Sequence, residues 1–456
     1  MTSETPLTPQ TPREVTDLLE PRDGIPPVVD SPRALAEATE RLAAGDGPVA
    51  VDAERASGYR YGQRAYLVQL RRRGAGTLLI DPIACPDLSG VVAALADAEA
   101  VLHAASQDLP CLAEVGSRPR RLFDTELAGR LLGYPRVALG TLTEEVLGLR
   151  LEKGHSAADW SVRPLPAEML RYAALDVEVL VELRDALAEQ LDDAGKAGWA
   201  RQEFEAIVSA PPPSARPDPW RRTSGIHRVH SRRGLGVIRE LWNLRDHIAR
   251  EDDLSPHRVL VDQAIIEAAR TMPVSQPQLV AIKGFTARVA RRHIQEWLTA
   301  VRTAKSMDEG SLPEITGSGP GTAGAGSGPP PAHRWSERDP AAAARLAATR
   351  EAIAVVAERH TLPVENLIPP DAVRRLSWDP PDPADQPAIA AALSGYGARP
   401  WQADLVAGPI AAALRAAAAT TATTATTATA SATSATSADA ATTTDAAAAT
   451  DGPGPP

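Results

Sequence analysis

A proline-rich segment and a second segment rich in glycine and proline divide this chain of 456 residues into three parts. The segment SAPPPSARPDPWRR at 209–222 cannot continue a helix, because successive prolines remove backbone donors and clash with the preceding turn. The segment EGSLPEITGSGPGTAGAGSGPPP at 309–331 has too few apolar residues to form a core. The whole chain is also long for one hydrophobic core. We therefore expect separate folding units joined by linkers.

The part before the first break has the pattern of an α/β domain. Five short apolar runs are expected to be strands: GPVAVDAE, RAYLVQLR, TLLIDP, AVLHAA and RLFDTE. Helical segments follow these runs as far as about residue 206. Strands followed by strands and then by helices are typical of a mixed sheet covered by helices.

The parts beyond the breaks are predicted to be helical. Asp339-Pro340 has the form of a helix N-cap followed by a first-turn proline. The final Ala/Thr tract contains too much threonine to favour a helix and too little apolar surface for a core. The predicted division is a mobile leader at 1–30, an α/β domain at 31–206, a linker at 207–221, a helical module at 222–302, a linker at 303–338, a second helical module at 339–415 and a disordered tail at 416–456.

Composition sets few limits on what the protein binds. The net charge of −10 does not exclude a nucleic acid, because charge acts locally. Cys85 and Cys111 lack CxxC spacing, so neither a disulfide framework nor a structural zinc site is expected, and a reducing interior is the natural setting. The N-terminus has no apolar targeting region, and no apolar run approaches the ~20 residues that cross a bilayer. We expect a soluble, cytoplasmic protein with no membrane contact.

Two acids at the end of the first strand are candidate metal ligands. Asp52 and Glu54 are two residues apart, so strand alternation places both on one face. Burying two such carboxylates is costly unless a cation joins them. A solvated strand end is the alternative. Asp108 falls in the first turn of a helix, where the helix dipole favours an anion and where ordinary acids are also common.

Tyr172 and Asp176 are the next candidates. Their i, i+4 spacing stacks them on one face of a helix, although a core tyrosine beside an exposed acid has the same spacing. The segment Phe123-Asp124-Thr125 at another strand end is a weaker signal. The combination is more specific than any member: D-x-E on a strand, H-x4-D from His103 to Asp108, and Y-x3-D on a late helix.

This order of motifs resembles the DEDD superfamily of 3′→5′ exonucleases, in the subclass with tyrosine in its last motif, over about residues 31–206. The segment LEKGHSAADWSVRPL at 151–165 resembles the K-x5-DW-x2-RPL segment of ribonuclease D, with Lys153, Asp159, Trp160, Arg163 and Pro164 in place. The resemblance implies an α/β, ribonuclease H-like exonuclease domain followed by two all-α helical modules. Ala53 and the segment RASGYRYGQ depart from common members, which leaves the placement of the substrate's 3′ end open.

The resemblance also assigns roles to the candidate residues. Asp52, Glu54, Asp108 and Asp176 would hold two divalent ions, Mg²⁺ or Mn²⁺, which prefer oxygen ligands and sit about 3.5–4 Å apart in such sites. Tyr172 would orient or help activate the attacking water. Substrate contacts are expected from four further residues: His103, Lys153, Arg163 and Lys283.

The helical modules are expected to bind RNA. Residues 222–302 resemble the HRDC domain shared by RecQ-type helicases and ribonuclease D, and 339–415 looks like a second such module. The Lys283-Gly284 turn would offer backbone N–H groups to phosphate. The Arg-rich segment 216–239 predicts either a solvated basic face or a surface that follows the phosphate backbone.

The implied function is metal-dependent trimming of RNA from its 3′ end, with tRNA precursors as candidate substrates and a monomer as the expected state. Two alternatives stay open. DNA 3′ editing uses the same kind of metal site, although no polymerase-like region follows in this chain. A non-catalytic scaffold that binds nucleic acid is disfavoured, because all four acids are present.

Overall fold

The computed structural model describes residues 15–152, 154, 158–212, 216–315 and 329–440, with side chains described as far as residue 420. The chain forms two compact units, Met1–Gly326 and Ser327–Pro456. The first unit contains the α/β domain and the first helical module. The second unit contains the second helical module.

A mixed sheet forms the centre of the α/β domain, as the sequence predicted, and in the described residues it has six strands, one more than the five predicted. Its strands are β2 (Val28–Val29), β3 (Asp46–Arg55), β4 (Ala65–Arg73), β5 (Gly76–Ile80), β6 (Glu99–Leu102) and β7 (Arg121–Asp124). Their spatial order is β2-β5-β4-β3-β6-β7. Strand β4 runs antiparallel to β3 and β5, and the other neighbours are parallel. All five predicted segments form strands, and the one that carries the D-x-E motif lies inside the sheet rather than at an edge.

The N-terminal part of the α/β domain begins earlier than the sequence indicated. Strand β1 (Thr16–Leu18) pairs in parallel with β8 (Leu149–Leu151), and β2 extends the edge of the main sheet beside β5. Arg22 forms an ion pair with Glu182. Residues 16–30, predicted to belong to a mobile leader, are therefore part of the fold. Strands of two or three residues depend on partners far along the chain, so no local pattern marks them.

Eight helices of the described residues pack around the sheet. They are α1 (Pro32–Ala44), α2 (Ser89–Ala94), α3 (Leu109–Glu114), α4 (Thr125–Leu132), α5 (Leu139–Leu147), α6 (Ala167–Glu178), α7 (Leu180–Asp193) and α8 (Ala197–Ser209). Helix α6 packs across β3, β4 and β5. This crossing brings the last predicted motif onto the strand that carries the first.

The first helical module has no strand among its described residues. Its helices are α9 (Arg232–Glu251), α10 (Pro256–Val259), α11 (Asp262–Thr271), α12 (Gln276–Val280), α13 (Arg288–Arg292) and α14 (Ile294–Ser306). They share one core, in which Phe285 and Trp297 are fully buried with ring centroids 5.9 Å apart. Short 3₁₀ turns at Pro219–Arg222 and Ile226–Arg228 lead into α9.

Three arginines of α9 hold the segment that follows α14. Arg232 donates from Nη2 to the carbonyl of Leu312 at 2.8 Å. Arg233 donates from Nη1 to the carbonyl of Met307 at 3.0 Å. Arg239 donates from Nη2 to the sulfur of Met307 at 3.2 Å. The side chain of Leu312 is buried. We call these three arginines and the segment they bind the arginine clamp.

The arginine clamp changes two predictions. Helix α14 ends at Ser306 and the chain keeps contact with the module as far as Glu314, whereas the sequence placed a linker from 303. The sequence also proposed that the clamp arginines bind the phosphates of RNA. In the structure Arg232 and Arg233 donate to backbone carbonyls of the protein itself. Arg222 and Arg228 of the same basic segment are exposed.

The second unit is helical throughout its described residues. Its helices are α15 (Trp335–Arg338), α16 (Pro340–Arg359), α17 (Val364–Leu367), α18 (Pro370–Trp378), α19 (Gln386–Gly395) and α20 (Pro400–Ala440). The Asp339 carboxylate accepts a hydrogen bond from the Ala342 N–H at 2.9 Å, which confirms the predicted N-cap. Trp335 is fully buried, and its ring centroid lies 5.0 Å from that of Trp378 with the two rings tilted by 55°.

Helix α20 is longer than the sequence predicted. It continues to Ala440, although disorder was predicted from 416; the many alanines outweigh the threonines in helix propensity. Residues 441–456 of the predicted tail lie outside the described residues. Among the residues searched, Pro400–Thr420 is the one stretch long and apolar enough to cross a membrane. Its apolar face, including Trp401, Val406 and Ile410, is buried against α16 and α19, as expected of a core helix.

Candidate active site

Three carboxylates meet where α6 crosses β3. Alternation along β3 places Asp52 and Glu54 on one face of the sheet. Asp176 reaches the same point from α6. One oxygen from each of the three lies within 4.8 Å of the other two. Oxygens that share a divalent cation at about 2.1–2.6 Å are separated by distances of this order.

Asp108 is the fourth acid, and it stands beside this group. It occupies the N-cap position of α3, yet its side chain makes no capping hydrogen bond. The residue is 8% exposed, and its Oδ1 lies 3.5 Å from Nη2 of Arg55. Its negative charge raises the pKa of both Glu54 and Asp176. The carboxylate is thus close to the other acids and is not used to cap its own helix.

Asp124, the weakest of the sequence candidates, fixes the loop that carries Asp108. Its Oδ1 accepts a hydrogen bond from the Ala104 N–H at 3.1 Å, and its Oδ2 accepts one from the Ala105 N–H at 2.8 Å. The same carboxylate caps the N-terminus of α4. Ala104 has φ +57°, a left-handed conformation that costs energy for alanine and needs such anchoring. Asp124 therefore holds the loop that positions Asp108, a role that its sequence context did not reveal.

Tyr172 lies one turn before Asp176 on α6, and its side chain is hydrogen-bonded to that of Asp176. Its ring centroid lies 6.4 Å from that of Trp160, which is fully buried. Burial raises the pKa of the Tyr172 hydroxyl, and the charges of Asp176 and Glu54 raise it further. The hydroxyl is therefore protonated at neutral pH and donates to Asp176, and its oxygen can accept a hydrogen bond at the edge of the acid group.

The acids of the site repel one another in a buried setting. Burial raises the pKa of all four carboxyl groups: Asp52, Glu54, Asp108 and Asp176. Charge from neighbouring carboxylates raises the pKa of Glu54, Asp108 and Asp176 still further. Arg55 works in the opposite direction and lowers the pKa of Asp52, Glu54 and Asp108. A bound divalent cation would relieve this repulsion and keep the acids ionised.

Gln69 supplies a second observation that fits a cation. It lies opposite Asp52 in the β3–β4 pair, so the two side chains share a face of the sheet. The residue is fully buried, and neither amide atom has a hydrogen-bond partner within the described part of the chain. An unpaired buried polar group costs about 1–3 kcal/mol. A hydrated cation beside Asp52 would bring water that can pair with this amide, so the residues present fit a hard divalent ion.

Arg163, a predicted substrate contact, is fully engaged inside the protein. Its Nε and Nη2 donate to the two oxygens of Asp81 at 2.7 and 2.9 Å. Nη2 also donates to the Tyr66 carbonyl at 2.8 Å, and Nη1 donates to the carbonyls of Trp160 and Val162. These bonds use all five N–H donors of the guanidinium. Arg163 therefore has no donor left for RNA, and its role is to fix the segment before α6.

The other three predicted substrate contacts stay predictions. His103 Nδ1 lies 2.9 Å from the Thr125 hydroxyl, and burial lowers the pKa of the imidazole to about 4, so it is neutral at pH 7. Lys283 is exposed in the turn before Gly284, as the sequence predicted. Lys153 lies outside the described residues.

The loop that follows β3 is held by the first helical module. We call residues 57–63 the clasped loop. The Tyr61 hydroxyl donates to Asp246 Oδ1 at 2.9 Å. The Ser255 N–H donates to the Tyr59 carbonyl at 3.0 Å, and the Arg258 guanidinium lies 4.2 Å over the Tyr59 ring. This loop begins two residues after Arg55, so the module is joined directly to the strand that carries Asp52 and Glu54.

Comparison with known protein families covers all three folded parts. Residues 26–192 match the family described as 3′-5′ exonuclease. Residues 234–301 match the HRDC domain. Residues 328–414 match the family described as 3′ to 5′ exonuclease C-terminal domain, whereas the sequence suggested a second HRDC-like module there.

Similar proteins extend over most of the chain. Ribonuclease D of Gluconacetobacter diazotrophicus is 32% identical over 274 residues, which are 58% of this chain and 68% of that protein. A solved structure of a protein from Bifidobacterium adolescentis is 37% identical, with a TM-score of 0.80, and covers 88% of this chain and 100% of its own. Escherichia coli RNase D, an exoribonuclease involved in structured RNA processing, is 25% identical, with a TM-score of 0.63 over 85% of this chain and 98% of its own.

The sheet, the acid group from β3 and α6, and the matched domains together define a metal-dependent 3′→5′ exonuclease. The similarity to Gluconacetobacter diazotrophicus ribonuclease D, which extends over 68% of that protein, then identifies the family within this class of exonucleases. The chain belongs to the ribonuclease D family and is a 3′→5′ exoribonuclease. The sequence-based predictions of family, fold and enzyme class are confirmed.

Proposed function

We propose that Asp52, Glu54, Asp108 and Asp176 hold two divalent ions, Mg²⁺ or Mn²⁺, during hydrolysis of the last phosphodiester of an RNA chain. The observation that carries this proposal is the group of three oxygens within 4.8 Å, with Asp108 beside it. Two such ions lower the pKa of the attacking water and neutralise charge on the phosphate. Four carboxylates supply both the oxygen ligands and the negative charge that hard cations prefer.

The residues around the ions direct the attack. A water attacks the terminal phosphorus in line with the bond to the 3′ oxygen of the penultimate nucleotide. That P–O bond breaks, the water loses a proton as the 3′ oxygen gains one, and a nucleoside 5′-monophosphate is released. The protonated Tyr172 hydroxyl donates to Asp176, which fixes its position, and its oxygen can accept a hydrogen bond from the water and so orient it.

The proposed substrates are single-stranded 3′ ends of RNA, including the 3′ extensions of tRNA precursors and other stable RNAs. The ribonuclease D relatives and the HRDC domain support this choice. We propose that the enzyme acts as a monomer in the cytoplasm. Two free, buried cysteines, Cys85 and Cys111, fit a reducing compartment.

The test is to replace Asp176 by asparagine and measure hydrolysis of a 3′-extended tRNA precursor, an unstructured RNA and a DNA of the same sequence. Loss of one ligand should cost several kcal/mol of transition-state stabilisation, about a 1,000-fold fall in rate, while RNA binding in Ca²⁺ persists. Glu189→Gln removes an exposed carboxylate from the neighbouring α7 and serves as the matched control.

Near-normal turnover by Asp176→Asn would refute the metal site. Cleavage of the DNA as fast as the RNA by the unaltered protein would refute the proposed preference for RNA. A titration of the wild-type rate with Mg²⁺ and with Mn²⁺ identifies the ion that supports hydrolysis at lower concentration.

A further inference from the structure

Arg55 reaches the acid group although regular strand geometry would direct it elsewhere. In a regular strand the residue after Glu54 points to the opposite face. The pairing of β3 with β4 is irregular here: Glu54 lies opposite Leu67, but Arg55 lies opposite Ala65. Such irregularities re-aim side chains and are frequent beside active sites. The extra residue, Tyr66, lies on β4, and the long Arg55 side chain at the end of β3 places Nη2 3.5 Å from Oδ1 of Asp108.

The contact between Arg55 and Asp108 is loose for a buried ion pair. It is one long contact of 3.5 Å, whereas Arg163 grips Asp81 with two bonds of 2.7 and 2.9 Å. The Arg55 side chain keeps 27% of its surface exposed, so its guanidinium borders both the acids and solvent. A cation so held can exchange one anionic partner for another at low cost.

Ion binding at the acids would free Arg55 from Asp108 and let it bind a different anion. Arg55 is the one cation whose charge offsets the repulsion on Asp52, Glu54 and Asp108 together, among the shifts resolved in the described residues. Divalent ions at these carboxylates would take over that role and compete with Arg55 for Asp108. The guanidinium would then face the next anion at the site, which is the phosphate being cleaved. Arginine suits that contact because its planar fork matches two phosphate oxygens.

We infer that Arg55 is a further catalytic residue of this enzyme. It pairs with Asp108 before the ions bind and donates from its planar fork to two oxygens of the scissile phosphate afterwards, where it stabilises the negative charge of the transition state. This inference rests on the proposed two-ion hydrolysis. The alternative is a purely structural role, in which Arg55 only neutralises Asp108 and stabilises the fold.

The catalytic and structural roles predict opposite effects on ion binding when Arg55 is replaced. Arg55→Gln removes a competing positive charge, so Mg²⁺ or Mn²⁺ should raise the melting temperature at equal or lower concentration than in the wild type. The single-turnover rate at saturating ion should nevertheless fall by about 100-fold, the usual loss for one transition-state donor. Arg55→Lys, which keeps the charge and loses the fork, should recover part of that rate. Arg33→Gln, on the exposed surface of α1, is the control for a lost positive charge.

Several outcomes would overturn the inference. An unchanged single-turnover rate in Arg55→Gln would show that Arg55 only neutralises Asp108. Weaker ion binding together with a lower rate would show that it supports the structure of the site. If Arg55→Gln fails to fold, equal rates for Arg55→Lys and the wild type would exclude the bidentate phosphate contact. If the wild type itself shows neither ion-dependent melting nor cleavage, the proposed function fails first.

Discussion

The hydroxyl of Tyr61 should determine how often the clasped loop opens. Its hydrogen bond to Asp246 is 2.9 Å long, and the Asp246 side chain is only 21% exposed. A hydrogen bond to a charged group contributes about 1.5–3 kcal/mol when well shielded, and partial exposure here reduces that to about 1–2 kcal/mol. Arg250 also contacts the hydroxyl, but its side chain is 64% exposed and screened by water. Tyr61→Phe removes the bond and keeps the ring.

Hydrogen–deuterium exchange read by mass spectrometry measures this opening. The Tyr61 N–H donates to Asp253 and the Ser255 N–H donates to Tyr59, so both amides exchange when the loop leaves the module. A loss of about 1–2 kcal/mol should speed exchange in peptides 57–63 and 252–258 by about 5- to 30-fold.

Two controls make the result decisive. Tyr134→Phe removes a comparable hydroxyl hydrogen bond, to Gln190 at 2.8 Å, elsewhere in the same unit and should leave these peptides unchanged. Asp246→Ala should add little once the Tyr61 hydroxyl is gone, because the two changes remove the same bond. Exchange within twofold of the wild-type rate in Tyr61→Phe would show that the loop is held without this hydroxyl.

The remaining predictions concern the active site. Tyr172→Phe should slow single-turnover hydrolysis by about 100-fold and leave RNA affinity in Ca²⁺ unchanged, because the hydroxyl acts on the water; an unchanged rate would reduce Tyr172 to a packing residue. The raised pKa values of the acids mean that the metal-free fold binds protons that the unfolded chain releases, so its melting temperature in chelator should fall as pH rises from about 4 through 7. Asp52→Asn should reduce that fall and Mg²⁺ should oppose it, whereas a flat melting profile in chelator would contradict the coupling.

The sequence predicted the site better than its surroundings. The acids at Asp52, Glu54 and Asp176 follow the periodicity of a strand and a helix, so their spacing already places them on defined faces. The contact between Arg55 and Asp108 joins residues far apart in the chain, which no periodicity records. The role of Arg163 was misjudged for a related reason. A motif shows that an arginine is present, but only the tertiary structure shows where its five donors go.

The ends of the folded parts were also predicted poorly, because they depend on contacts that local sequence does not show. The edge strand β2 has two residues and is stabilised by β5, about fifty positions further along the chain, so its own sequence carries almost no signal. Helix α20 continues through a tract in which alanine and threonine favour opposite outcomes, and composition alone did not weigh them correctly. Local preferences identify long, strongly patterned elements, whereas short or balanced ones depend on the rest of the fold.

The arginine clamp extends the folded module beyond the stretch of sequence that matches the HRDC domain. The recognisable HRDC sequence ends at residue 301, but the backbone carbonyls that Arg232 and Arg233 bind come from residues beyond it. A fragment cut at that boundary would present guanidinium groups stripped of their acceptors and an uncovered site for Leu312. Such a fragment could attach to any polyanion, and a gain in its RNA affinity would then report damage rather than recognition. A truncated form of this enzyme should therefore end after residue 315, so that Arg232 and Arg233 keep their carbonyl acceptors.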